Sequence, residues 1–144
     1  MVNNMKNISR YDGSVPTLEN PERKISATPL YDEDFVLTLL NTKGNQGLSV
    51  WTRKCKDDLL KYELDHDDVL NLIRLCFHTG KFLGAEWCQQ QPNGCWAACD
   101  AYRVFRIEWV KNADKDITFE YYLKFAISKT GQLLLLVSCH LSEY

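Results

Sequence analysis

The sequence predicts an α+β domain, with N-terminal helices packed on a C-terminal antiparallel sheet, and two observations carry that reading. Between residues 30 and 78, apolar side chains recur at three- and four-residue spacing behind helix-start signals. After Cys99 the period drops to two, as a strand with one buried face requires. The length of 144 residues suits one domain, set at 25–144.

Residues 1–24 mix Asn, Ser, Gly, Pro and alternating charges without apolar periodicity, and read as a flexible lead-in or a strap over the domain. Thr28-Pro29 followed by Asp32, Glu33 and Asp34 combines a cap, a first-turn proline and carboxylates at the positive dipole end. A helix is expected from about Leu30 to Asn41, with Phe35, Val36, Leu39 and Leu40 as its apolar set. Asn41 to Ser49 has two glycines and no pattern, so a loop is expected there. Thr52 can cap a short helix carrying Cys55, Leu59 and Leu60.

Asp65 to Asp68 repeats the start signal before Val69, Leu70, Leu72, Ile73, Cys76 and Phe77, one wide apolar stripe that stops at Gly80. Lys81 to Trp87 reads as a further turn of helix, and Cys88 to Gly94 as a loop. Strands are then expected over Tyr102 to Val110, Ile117 to Ser128 and Gln132 to Leu141, joined by short turns at 111–116 and 129–131. Their odd-numbered residues are apolar: Phe105, Ile107 and Trp109, then Ile117 through Ile127, then Leu133, Leu135 and Val137.

Composition narrows the functional classes. The chain is 45% hydrophobic and 25% charged, the balance of an ordinary globular protein. No apolar run approaches the ~20 residues of a membrane helix, and Met1 to Arg10 has Asn and Lys where a signal peptide is apolar, so the cytoplasm is the expected location. Six cysteines in such a compartment read as thiols. The net charge of −2 leaves no global attraction to nucleic acid or acidic membrane, so an anion site must be local.

If the odd-numbered sets all pack on the helices, the even-numbered residues share the opposite face. That would gather Tyr102, Arg106 and Glu108 with Glu120, Tyr122 and Lys124, and with Ser138 and His140. Cations hold phosphate, phenols stack or donate hydrogen bonds, and an imidazole exchanges a proton near neutral pH, so such a face suits an anionic ligand. Solvated strand faces are also polar with no ligand to bind.

The order of short motifs resembles the MqsR-type toxins, messenger-RNA-cleaving ribonucleases of toxin–antitoxin systems with a RelE-like fold. The matching pieces are Val50-Trp51-Thr52-Arg53, Leu64-Asp65-His66-Asp67, Cys99-Asp100-Ala101-Tyr102-Arg103, Tyr122-Leu123-Lys124 and Leu136-Val137-Ser138, across roughly residues 30–142. The resemblance implies a metal-independent endoribonuclease with RNA as substrate, no cofactor, and a cognate antitoxin or other protein as partner. Tyr122 matches the family's tyrosine, and Lys124 completes its Tyr-Leu-Lys. His140 takes the place of a family lysine, Cys99 that of its glutamine, and Lys81 is nearest to its remaining lysine.

Metal-free RNA cleavage uses the neighbouring 2′-hydroxyl as nucleophile, so the protein supplies a proton acceptor, a proton donor and positive charge. The expected catalytic residues are His140 for acid–base work, Lys124 for phosphate charge and Tyr122 for orientation, with Tyr102, Arg106 and Lys81 binding substrate. A strand-end histidine bonded to backbone is the plain alternative for His140. His66, in a first helical turn among three aspartates, reads as solvated, and His78 as a helix-end cap.

Cys88, Cys95 and Cys99, with Cys76 or His78, could surround zinc, but the Cys-x-x-Cys knuckles are missing and Cys76 sits on an apolar stripe, so no metal is expected. The competing functional class is a non-catalytic immunity- or antitoxin-like binding module on a similar fold. Its support is that residues 100–144 hold six basic and six acidic side chains, where an RNA-cleaving surface is usually basic.

Overall fold

The computed structural model describes residues 6–142 and has mixed α+β architecture. In chain order come β1 (Lys24–Ser26), α1 (Glu33–Lys43), β2 (Leu48–Val50), α2 (Arg53–Lys61), α3 (His66–His78), β3 (Lys81–Gln89), β4 (Trp96–Val110), β5 (Lys115–Ile127) and β6 (Leu134–Leu141). The strands form one sheet in the order β1-β3-β4-β5-β6-β2, antiparallel except where β2 runs parallel to β6.

Two of the three helix starts follow the expected chemistry. Helix α1 starts three residues later than expected, capped by Asp32 and not by Thr28, because the N–H groups of Leu30 and Tyr31 bond the Asp100 carboxylate instead. Asp32 accepts from Phe35 N–H, Thr52 from Cys55 N–H, and Asp65 and Asp68 close a reciprocal capping box. Gly80 ends α3 tightly, its N–H bonded to the carbonyls of Leu75 and Cys76. The apolar stripe of α3 packs on the sheet, where Phe77 meets Tyr102 and Phe125 edge-on at 5.6 and 6.1 Å.

Four further local expectations need correction. Lys81 to Trp87 is strand, not helix: β3 is a full partner of β4, and its β-branch-poor sequence is held by that pairing rather than by propensity. The expected loop at 41–49 instead holds a 3-10 turn at 44–47 and the start of β2, too short to show a period. The sheet is wider than a C-terminal meander, since β1 and β2 add edge strands from the N-terminal half. Phe105, Ile107 and Trp109 are exposed, at 55, 68 and 62%, whereas Val104 opposite Tyr121 is buried.

The last correction has a geometric cause. The β4–β5 turn spans four residues, so partners sum to an odd number, as in Tyr102 with Leu123 and Arg103 with Tyr122. Even residues of β4 therefore share a face with odd residues of β5. Helix α3 packs on that shared face, and the far face carries odd residues of β4 with even residues of β5.

Of the two readings of residues 1–24, the strap describes Asn7 to Tyr11; residues 1–5, like 143–144 at the domain's other end, lie outside the described residues. Ile8 N–H donates to Trp96 O, Arg10 N–H to Ile127 O, and the fully buried Ser9 hydroxyl accepts from Ala98 N–H. No helix among the described residues is long and apolar enough to cross a membrane.

Candidate functional site

Register across the sheet assembles a polar row on the far face. Lys81 of β3 lies opposite Arg103 of β4, Arg103 opposite Tyr122 of β5, and Tyr122 opposite His140 of β6. Two β-bulges make this row. In β3 the pairing slips between Phe82 and Gly84, around the half-exposed Leu83, and brings Lys81 onto the face of Arg103. In β6 the pairing slips around Val137, so Tyr122 faces His140 instead of Cys139. Gly84, at φ 140°, supplies a backbone geometry that side-chain-bearing residues rarely adopt.

His140 and Tyr122 stack with ring centroids 5.3 Å apart and planes 26° from parallel. His140 Nδ1 is 2.8 Å from Leu141 O, and because a carbonyl only accepts, Nδ1 carries the hydrogen. The backbone bond of the plain alternative is therefore made, yet it leaves Nε2 of the neutral ring with its lone pair, a proton acceptor. His140, Tyr122, Ser142 and Lys54 line one hollow of about 350 Å³. A second hollow, about 470 Å³, meets the other side of Tyr122 and is walled by Lys24–Ala27 and Leu83–Glu86. A larger hollow, about 680 Å³, lies away from this row, along α1 beside Arg10 and Gly131.

Lys124 lies one row over, its Nζ 5.7 Å from the Tyr122 ring centre and 3.3 Å from Glu86 Oε2. Burial alone would lower its pKa, but Cys88, the Tyr122 phenol and Glu86 outweigh that and hold the ammonium above the ordinary lysine value. Burial raises the Tyr122 phenol, partly offset by Lys124, so both groups stay protonated near neutral pH. The Cys88 thiol is lowered, chiefly by its hydrogen bond with Cys99 and against the effect of burial, with help from Lys124. Cys99 is fully buried and raised well above its usual range by that burial.

Among the expected site residues, the structure brings together His140, Tyr122, Lys124 and Lys81 and separates two others. Tyr102 is on the helix face, buried among Phe77, Phe82 and Phe125, with the Phe125 ring stacked at 5.8 Å. Arg106 is on that face too, bonded to Asp68 and Glu108 and lying over the Tyr121 ring, which also bonds Glu108. Both belong to the packing between α3 and the sheet. Arg103 takes the place assigned to Arg106: it is 40% exposed and 3.3 Å from Glu120. The even length of the 111–114 turn was the signal that would have found it.

Cys88 and Cys99 meet, but no larger cluster forms around them among the described residues. Cys76 lies on α3 while Cys88 and Cys99 sit on the far-face side of β3 and β4, and no group of three or more metal-ligating side chains forms among the described residues. A scan against protein-family models, a search of curated proteins and a search of solved structures each found no match.

Proposed function

We propose that the chain is a metal-independent endoribonuclease of the toxin type, with a RelE-like arrangement of helices on an antiparallel sheet and RNA as substrate. What supports this reading is the cross-sheet row of Lys81, Arg103, Tyr122 and His140 with Lys124 beside it: three cations, a phenol and an imidazole within the span of one or two phosphodiesters. Bulges that re-aim two of these side chains are common beside active sites.

In the proposed reaction His140 Nε2 takes the proton of the RNA 2′-hydroxyl. The freed oxygen attacks the adjacent phosphorus, the O2′–P bond forms, and the bond from phosphorus to the 5′-oxygen breaks. Lys124 and Arg103 balance the charge that collects on the non-bridging oxygens. Tyr122 donates a hydrogen bond to one of them, and the departing 5′-oxygen takes its proton from solvent or from the imidazolium. The products are a 2′,3′-cyclic phosphate and a 5′-hydroxyl.

A second reading, a non-catalytic protein-binding module, draws on a different observation: Glu86 already pairs with Lys124, and Phe105, Ile107 and Trp109 are exposed together. Incubation with RNA in chelator separates the two. Cyclic-phosphate ends are expected, falling by about 10²–10⁴-fold in folded His140→Ala and Lys124→Ala variants. Intact RNA across ionic strength and pH would overturn the nuclease.

A further inference from the structure

The β4–β5 hairpin outruns its neighbours. Pairing with β3 ends at Arg103, so from Val104 to Val110 no strand among the described residues pairs with the outer edge of β4. Ser142 N–H donates to Glu120 O, so Glu120 directs its backbone groups away from β4, and Phe105 opposite it directs its own outward. By alternation Ile107 and Trp109 do the same. These three residues also carry the exposed apolar side chains, so one stretch of about 24 Å offers both unpaired backbone groups and an apolar ladder.

This edge is complementary to itself. Laid antiparallel against a second copy with Ile107 facing Ile107, Phe105 meets Trp109 of the other copy on the far face. On the helix face Arg106 meets Glu108, and Val104 meets Val110. The three pairs formed by residues 105, 107 and 109 are those whose backbone groups point at one another, which gives about six inter-chain hydrogen bonds. A shift by one residue would set outward groups against inward ones, and a shift by two would bring Glu108 to face itself. The overlap ends at Val104 because β3 takes over the edge at Lys81.

We propose that residues 104–110 join two copies of this chain through an antiparallel β4–β4 pair, extending the sheet across a two-fold axis at Ile107. Opposite-charge and apolar pairs both fall in place only in that register. One strand pair and its side chains make a small interface, so the dimer is a weak one, best read at about 100 µM protein.

Sedimentation with reductant present tests this. The wild type is expected to sediment as a concentration-dependent dimer. Ile107→Lys and Ile107→Glu, at an exposed position that leaves the fold alone, are each expected to be monomeric, because like charges then face each other on the axis. Mixed in equal amounts they should pair again, Lys against Glu. A monomeric wild type, a dimer indifferent to both substitutions, or a mixture that stays monomeric would each overturn the proposal. So would a wild type that stays single while Trp109 fluorescence responds to single-stranded RNA, which would make the ladder an RNA platform.

Discussion

Tyr102 and Tyr122 look alike in sequence and lie on opposite faces of the sheet, which gives a sharp test of the architecture. Tyr102 is 5% exposed and held by three rings: Phe77 and Phe82 edge-on at 5.6 and 5.4 Å, and Phe125 stacked with planes only 4° apart. Truncating a ring packed this way removes its transfer energy and leaves a cavity between α3 and the sheet, a loss of about 3–5 kcal/mol. That is a large part of the about 5–15 kcal/mol a domain has. Tyr102→Ala is expected to be barely folded, so Tyr102→Leu, costing about 2–3 kcal/mol, is the practical variant. Tyr122→Ala removes a half-buried ring that stacks on His140 over open hollows, and should cost about 1–2 kcal/mol. Urea unfolding at pH 7, followed by the fluorescence of the four tryptophans with reductant to protect the six free thiols, measures each. A Tyr122→Ala loss larger than that of Tyr102→Leu, or a Tyr102→Leu cost below about 1 kcal/mol, would refute the face assignment.

Two further outcomes follow from other parts of the fold. Asp100 is fully buried, and burial pushes its carboxyl up to about 6 from 3.8 despite the N–H donors of Leu30 and Tyr31. The folded state therefore binds the proton more tightly than the unfolded one. The stabilisation is complete below pH 3.8 and lost as pH rises through about 6, a span of about 3 kcal/mol. Asp100→Asn should remove that slope, so the stability difference between wild type and variant must change between pH 4 and 7; a constant difference in urea midpoints would count against it. At Gly80 an added Cβ would stand 2.5 Å from Cys76 O and 2.7 Å from its Cα, both backbone of the last turn of α3. Gly80→Ala is expected to cost about 1–3 kcal/mol, and a thermal midpoint within a degree of wild type would be the contrary result.

The starts of α2 and α3 were legible because capping is local: Thr52 and Asp65 each bond within three residues. By contrast, α1 starts at Asp32 and not at Thr28 because Leu30 and Tyr31 bond Asp100, about 70 residues away. The strands of the C-terminal half were legible because alternation survives in any partner arrangement. β3 was not, since Lys81 to Gln89 lacks a period and is strand only because β4 lies beside it. β2 is three residues held by β6.

The candidate site divides along the same line. From the strand pattern alone Tyr122 and Lys124 had to share a face, because a two-residue step within one strand always returns to the same side. Whether His140, Lys81 or Arg103 joins them depends on how strands align, and one residue of slip turns every side chain over. The four-residue turn brought Arg103 to Tyr122 and sent Arg106 and Tyr102 to the helices, while bulges at Leu83 and Val137 brought in Lys81 and His140. Register is a property of paired strands, set by turn length and bulges that leave little trace in the pattern of any single strand, so only the folded sheet decided it.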